Sequence, residues 1–325
     1  MISLPYTLRL LCLCCASFFM IHLALALAMR LSARTVLRVA EHLKPSSAAR
    51  LLFALRMAPM VLTVLAVLAF CIPSYLWLEP DAAGEEVGFV CMLLAVLGVA
   101  IWALSAVRVY NAVRGTSRYL HHCEQRGRKI NVAGASAPAL LLADKAPVLA
   151  VAGVLHPQLV ISRPVMQGLT REQRDAALRH ERAHCDAGDN MKRLLILLAP
   201  DALPFVRGLR GLERGWAKFT EWAADDQATE GDACQALSLA SALVSVAKMG
   251  KRANLAYLSC SLVDDDLVQR VDRLLRPQVK AERPAAVLVP FLTSVGALLA
   301  TSTLVVVLWP GSLSLVHQAL ERLVH

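Results

Sequence analysis

Four long stretches without Lys, Arg, Asp or Glu limit what this chain can fold into. They are residues 10–29, 57–78, 87–107 and 285–309. About 20 apolar residues in a helix cross the hydrocarbon core of a bilayer, and a helix satisfies its own backbone hydrogen bonds there. Each stretch is therefore predicted to be a membrane-spanning helix. The composition agrees, because 18% of residues are charged against about 25% in a typical soluble domain.

The basic residues predict how these helices are oriented. Cytoplasmic loops are enriched in Lys and Arg. Residues 79–86 carry four acidic side chains and no basic one. Basic residues cluster between the first two spans, after the third and before the fourth: Arg30, Arg34, Arg38, Lys44, Arg50, Arg56, Arg108, Arg114, Arg118, Arg126, Arg128, Lys129, Arg276, Lys280 and Arg283. The N-terminus and residues 310–325 are then outside, and residues 108–284 are cytoplasmic.

An alternative is that the first apolar run is a cleaved signal peptide, since "ALALA" stands at residues 24–28. Cleavage would place the basic loop outside and the acidic loop inside, against the charge rule. The net charge of +9 is explained by basic residues that flank spans and meet anionic lipid. We therefore expect a lipid bilayer as partner and no nucleic acid.

The predicted fold is mainly α, a polytopic membrane protein with an α+β domain between its third and fourth spans. Residues 1–107 hold three spans, residues 108–284 form the cytoplasmic domain, residues 285–309 are the fourth span, and residues 310–325 are a short tail. The nine cysteines show no spacing typical of a disulfide framework. Those in the cytoplasmic domain are expected to stay reduced.

Within the domain, residues 147–153 and 157–163 are rich in aliphatic residues around a Gly/Pro turn, which predicts two strands. A helix is predicted from Leu169, with Thr170 and Gln173 as a capping box and an end near Gly188. Residues 109–146 are predicted to continue the third span as a helix and then form a loop. Further helices are predicted in these segments: 191–206 in two pieces against the membrane or the spans, 217–229, and 234–250.

The predicted helix contains "HERAH" at residues 180–184. His180 and His184 lie one turn apart on the same face, so both imidazoles can bind one zinc ion. Glu181 is turned by about 100° from His180, beside the metal position, where it can act as the catalytic base. The alternative is an amphipathic helix with incidental histidines. Cys185 points away from the histidine face and is predicted to pack rather than to bind metal.

A third ligand is predicted in "EWAAD", residues 221–225. Glu221 follows His184 by 37 residues, on another predicted helix, and Asp225 lies one turn further on the same face. We assign Glu221 as third ligand and Asp225 as the acceptor that holds a ligand histidine. The alternative for Glu221, taken alone, is a solvated surface side chain.

These residues resemble the integral-membrane zinc metallopeptidases of the BlaR/MecR signal-transducer family. The likeness also includes "AVAGVLHPQLVISRPV" at residues 150–165, the Asp-Asn pair at 189–190, "QRVDRLL" at 269–275 and the arrangement of three spans before the domain and one after. It implies a gluzincin-type protease domain, zinc ligands His180, His184 and Glu221, and Glu181 as base. It further implies a bacterial inner-membrane location and cleavage of a cytoplasmic repressor or of the protein itself.

The chain departs from that family in lacking a penicillin-binding domain after the last predicted span, and residues 310–325 contain no SxxK motif. We therefore expect no β-lactam sensing, and we expect external signals to arrive through a membrane sensor partner or lateral contacts among spans. Two alternative functions stay open: a quality-control protease resembling the heat-shock and CAAX prenyl protease group, and a non-enzymatic scaffold with a vestigial zinc site.

Two expectations concern how a protein substrate would be bound. An edge strand near residues 147–163 is expected to pair with the substrate backbone. The donor that stabilises the oxyanion stays open among His156, Tyr257 and Arg270.

Overall fold

The computed structural model describes residues 2–3, 5–78, 86–131, 138–143, 146–202, 209–249, 259–261, 267–276, 314–316 and 318. Within these residues the chain is mostly helical and contains a small mixed sheet. The predicted fourth span, residues 285–309, lies outside the described residues, as does most of the tail.

Three helical segments are long and apolar enough to cross a membrane. They comprise α1 (Tyr6–Glu41), then α2 (Pro45–Ala66) continued by a π-helical turn (Val67–Cys71) and α3 (Ile72–Leu78), and then α4 (Phe89–Arg126). They contain the first three predicted spans. Their lengths of 36, 34 and 38 residues exceed the ~20 that a bilayer requires, so each continues beyond its apolar stretch. These segments support membrane association.

The first and last of these helices pack closely. A Cβ atom at Gly98 of α4 would collide with the carbonyl oxygen of Cys15 on α1. Small residues let helices approach in this way, which is typical of packing in membranes. The absence of a side chain at Gly98 therefore allows the close contact between α1 and α4. Two short strands, β1 (Ile2–Ser3) and β2 (Glu86–Val87), pair next to the N-termini of these helices.

Five strands form the sheet that lies beside the candidate site. They are β3 (Arg128–Ile130), β4 (Ala139–Leu142), β5 (Leu149–Ala152), β6 (Gln158–Ser162) and β7 (Ser259–Ser261). Their order is β3-β4-β6-β5-β7, with β4 and β6 parallel and the other neighbours antiparallel. The two predicted strands within 147–163 are confirmed as β5 and β6.

The predicted open edge at residues 147–163 is wrong. Strand β5 pairs with β6 on one side and with β7 on the other, and β6 lies between β5 and β4. Most backbone donors and acceptors of these strands are thereby engaged within the sheet, and an added substrate strand has no free edge there. The sequence has no local signal for β7 as the other neighbour of β5, or for β4 as the other neighbour of β6, because these strands are brought together only by the tertiary fold.

Six further helices complete the described part of the domain. They are α5 (Arg163–Gly168), α6 (Arg171–Ala187), α7 (Asp189–Leu198), α8 (Arg210–Thr229), α9 (Ala233–Lys248) and α10 (Leu267–Leu275). The predicted helices within 217–229 and 234–250 correspond to α8 and α9. Segment 191–206 is predicted to form two helical pieces against the membrane or the spans. Its first half lies in α7, which packs against α4 and α2. Residues 203–208 lie outside the described part.

Local sequence explains where α6 begins and ends. The backbone N–H of Gln173 donates to the hydroxyl of Thr170, and the Gln173 side chain accepts from the N–H of Thr170, which confirms the capping box. At the other end, Gly188 adopts φ 67°, a left-handed conformation that glycine reaches without steric cost. The two signals fix the register of α6, and with it the face that carries the histidines.

Packing joins the domain to the membrane helices. Helix α8 lies along α2, and Leu52 of α2 is buried in one cluster with Leu212 and Trp216 of α8. The opposite side of the domain has its own core, where Ala177 of α6 packs with Leu243 of α9. Helix α8 therefore contacts both the spans and the motif helix α6.

Candidate metal centre

The two motif histidines meet on one face of α6. Their Nε2 atoms are 3.1 Å apart, and their rings are nearly perpendicular, at 86°. Both side chains are buried, with exposed fractions of 0% for His180 and 3% for His184. Residues four apart on a helix share a face, so the regular geometry of α6 is enough to produce this pairing.

Glu221 reaches the same point from α8. One of its carboxylate oxygens lies 3.4 Å from Nε2 of His180, and the other lies 3.5 Å from Nε2 of His184. The three side chains form a buried group that could hold a metal ion. The structure thus brings together the three residues that the sequence assigned as ligands.

The spacing of the candidate ligand atoms is compatible with a zinc-sized ion. Zinc binds nitrogen and oxygen at about 2.0–2.1 Å in tetrahedral geometry, which separates neighbouring ligand atoms by roughly 3.3–3.4 Å. The two Nε2 atoms are 3.1 Å apart, one Glu221 oxygen lies 3.4 Å from Nε2 of His180, and the other Glu221 oxygen lies 3.5 Å from Nε2 of His184. Three protein ligands also leave one tetrahedral position for water or substrate, the arrangement typical of catalytic zinc sites.

The outer nitrogens of both histidines are fixed by carboxylates. Nδ1 of His184 donates to Asp189 at 2.8 Å, and Nδ1 of His180 lies 3.0 Å from Asp225. A carboxylate only accepts hydrogen bonds, so each Nδ1 carries a proton, and in the neutral imidazole Nε2 then presents a lone pair. In that form two lone pairs and the Glu221 carboxylate converge, an arrangement that a cation stabilises.

A buried arginine from α10 holds the carboxylates on one side of this group. Nε of Arg270 donates to Asp225 at 2.9 Å, and Nη1 lies 3.0 Å from Glu221. Burial tends to raise the pKa of Glu221, but His184, His180 and Arg270 hold it well below its ordinary range. Burial likewise opposes ionisation of Asp225, and Arg270 and His180 keep its pKa low. Both groups are therefore carboxylates.

Glu181 lies beside the three ligands in a different setting. Its Oε2 accepts a hydrogen bond of 3.1 Å from the backbone N–H of Val151 in β5. Its Oε1 is buried and has no hydrogen-bond partner among the described residues. Burial raises the pKa of Glu181 to about 7, with Glu221 adding to the rise and the two histidines opposing it. Such a carboxyl group can both accept and release a proton near neutral pH.

Two side chains after the motif also position the site, and their roles were not predicted from the sequence. Asp189 is the partner of His184 described above. Asn190 donates to the carbonyl oxygens of Val151 and Gly153 at 3.2 and 2.8 Å, which ties the start of α7 to β5. The sequence indicates the Asp-Asn pair only through the family resemblance. A local signal is its position directly after Gly188, the glycine that ends α6.

The other predicted candidates are placed differently. His156 is exposed in the turn between β5 and β6, whereas the three grouped ligands are buried. Arg270 contacts Glu221 and Asp225, and Tyr257 lies outside the described residues. Cys185 is half-buried on α6 and does not belong to the metal-holding group found among the described residues.

A groove of about 1310 Å³ adjoins the helices that carry the metal group. Its walls come from the α1–α2 connection, α2, α6, α7, α8 and α10, and they include Asp189 and Trp222. Asp189 thus faces the groove while it holds His184. The three ligand residues themselves do not line this groove, so we do not assign substrate binding to it.

No protein-family model matches the chain, and no curated protein is significantly similar to it. The case for a metal site therefore depends on the geometry of the residues described above.

Proposed function

We propose that this chain is a membrane-embedded zinc endopeptidase that cleaves a cytoplasmic protein. The observation that carries the proposal is the buried group of His180, His184 and Glu221, with a buried oxygen of Glu181 nearby that has no hydrogen-bond partner among the described residues. Two histidines and one glutamate form a donor set found in catalytic zinc sites, and the glutamate that follows the first histidine is the base in HExxH enzymes.

A bound zinc ion and the protein would have different roles in peptide-bond cleavage. Zinc bound at this group would supply a Lewis acid for the scissile carbonyl and for the attacking water. Glu181 Oε1 takes the proton from water and returns it to the leaving amine. The other oxygen of Glu181, Oε2, keeps the hydrogen bond that it accepts from the N–H of Val151. The carboxyl group therefore keeps its orientation while Oε1 accepts and releases the proton.

The surrounding groups keep the ligands in place during this exchange. Asp189 and Asp225 hold the Nδ1 protons, and Arg270 holds Asp225 in turn. Such outer partners fix the tautomer and the ring orientation of ligand histidines. We assign Arg270 this positioning role, because its guanidinium is engaged by Asp225 and Glu221.

The substrate class follows from the predicted topology and the family resemblance. Basic residues beside the spans support a cytoplasmic position for residues 108–284, so the substrate would be a cytoplasmic protein. The likeness to BlaR/MecR transducers suggests a repressor-like regulator or the chain itself, in the inner membrane of a bacterium.

The test is a comparison of new protein N-termini in cells that express the wild type or Glu181→Gln. Gln keeps the side-chain shape but cannot accept the proton, so we expect the variant to retain zinc and to lose the cleavage products. Glu172→Gln is the matched control, because Glu172 is exposed on the same helix; its products should equal those of the wild type. Wild-type cleavage by Glu181→Gln would show that another residue is the base.

A further inference from the structure

Two pairs of cysteines meet between the membrane helices. Sγ of Cys12 on α1 lies 3.9 Å from Sγ of Cys91 on α4. Sγ of Cys14, also on α1, lies 3.9 Å from Sγ of Cys71 in the π-helical turn. All four thiols are free. Each pair joins two helices that are separate in sequence, so a bond within either pair would fasten α1 to a neighbour.

The helices hold these thiols within reach of each other. The sulfur atoms of a disulfide are about 2.05 Å apart, so each pair would have to close by roughly 2 Å. A change of side-chain rotamer moves a sulfur atom by such an amount, provided that the helices are already close. The fit of Gly98 against the backbone of Cys15 shows this close approach for α1 and α4.

The π-helical turn is a second, independent feature of the same place. It interrupts an otherwise α-helical segment at Val67–Cys71 and ends on Cys71 itself. A π turn inserts a residue into the helix and changes the direction of the side chains that follow, and such turns are frequent at functional sites. Here the turn presents the Cys71 thiol to Cys14 and to the hydroxyl of Ser17, 3.8 Å away.

The pairs lie toward the predicted outer side of the membrane. Counting along the predicted spans at about 1.5 Å per residue, Cys12 and Cys14 are roughly 3 and 6 Å inside the first span. Cys91 is roughly 6 Å and Cys71 roughly 10 Å from the outer ends of their spans. Disulfides persist on the extracytoplasmic side. Cys12 and Cys14 are only half-buried, so these two residues are not fully enclosed by the helices.

We propose that Cys12–Cys91 and Cys14–Cys71 are oxidised to disulfides by a lipid-soluble quinone. In each pair, both S–H bonds break and one S–S bond forms, which releases two protons and two electrons. The quinone takes up both and becomes a hydroquinone. A membrane-dissolved oxidant fits thiols that lie inside the hydrocarbon region better than a water-soluble disulfide does. This proposal is independent of the proteolytic function.

The experiment uses the purified full chain, reduced and reconstituted in lipid vesicles. Vesicles receive decylubiquinone, a fully substituted quinone that does not add to thiols. The remaining thiols are then blocked under denaturing conditions, and peptides are analysed by mass spectrometry without reduction. We expect Cys12–Cys91 and Cys14–Cys71 linkages and the loss of four of the nine thiols.

Variants make the result specific. Cys12→Ser and Cys91→Ser should each lose the Cys12–Cys91 linkage and keep the Cys14–Cys71 linkage. If both variants give this result, it is not caused by a folding defect in one of them. Cys15→Ser is the matched control on α1 and should keep both linkages. Nine free thiols after quinone treatment, or linkage of Cys12 to Cys14 in place of the two helix-crossing pairs, would overturn the proposal.

Discussion

Each histidine of the metal group depends on one carboxylate that does not touch the ion position. Asp189 comes from the residue after the α6 helix stop, and Asp225 comes from α8, one turn beyond Glu221. Asp225 was assigned to this role from its spacing, whereas Asp189 emerges from the structure. At the scale of single residues, the site therefore depends on side chains other than the three candidate ligands.

The first prediction concerns these carboxylates. Asp189→Ala should weaken zinc binding by about 10–100-fold, the usual effect of removing an outer partner of a ligand histidine. Asp225→Ala should weaken it at least as much, because it also leaves the buried Arg270 without its main partner. Competition with a chelator measures the affinity. Asp186→Ala, at an exposed position of α6, is the control, and an Asp189→Ala affinity within twofold of that control would contradict the assignment.

The second prediction concerns the ligands. Purified protein should bind about one zinc ion per chain, and Glu221→Ala or either histidine replaced by Ala should lower the zinc content sharply, since each removes one of three ligands. Metal analysis after dialysis measures this. Full zinc occupancy in the double variant His180→Ala, His184→Ala would falsify the metal site.

At the scale of elements, α8 links the site to the spans. It carries Glu221 and packs along α2, and its Glu213 accepts a 2.7 Å hydrogen bond from Arg56 of α2. The Arg56 side chain is buried at 1% exposure, whereas Glu213 is 34% exposed. A movement of α2 would therefore be transmitted to the helix that supplies the third ligand.

The third prediction follows from this pair. Glu213→Ala should lower the free energy of unfolding by roughly 1–3 kcal/mol, because it leaves a buried guanidinium without its carboxylate. The matched control is Asp186→Ala, whose ion pair with Arg182 is exposed and is worth about 0–1 kcal/mol. Thermal unfolding in detergent measures both. Equal unfolding temperatures for the two variants would show that the Arg56 contact contributes no stability.

The helices and strands that could be predicted from the sequence are those with strong local signals. The capping box and Gly188 place α6, and the aliphatic runs place β5 and β6, because each signal acts within a few residues. Strands β3, β4 and β7 were not predicted: β3 and β7 are three residues long and carry no aliphatic run, and β4 has only four residues. The pairing of β7 with β5 joins residues about 110 positions apart, which no local pattern encodes.

At the scale of the whole molecule, the charge pattern makes a prediction about sidedness. Reporters or accessible cysteines placed within residues 79–86 and 310–325 should be extracytoplasmic, and one at residue 230 should be cytoplasmic, because basic loops stay inside. Residue 230 caps the end of α8 in a turn, where an insertion disturbs little. An extracytoplasmic reading at residue 230 would rule out a cytoplasmic substrate.

The sequence by itself determined the three described helices that are long and apolar enough to cross a membrane, the motif helix and the identity of the three metal-group residues. It could do so because apolar length and helical spacing are local properties. Only the tertiary structure decided that β5 is covered on both sides, that Asp189 and Arg270 hold the ligands and their neighbours, and that α8 joins the site to α2. These contacts connect residues distant in the chain, and the free energy that selects them comes from packing of the whole fold.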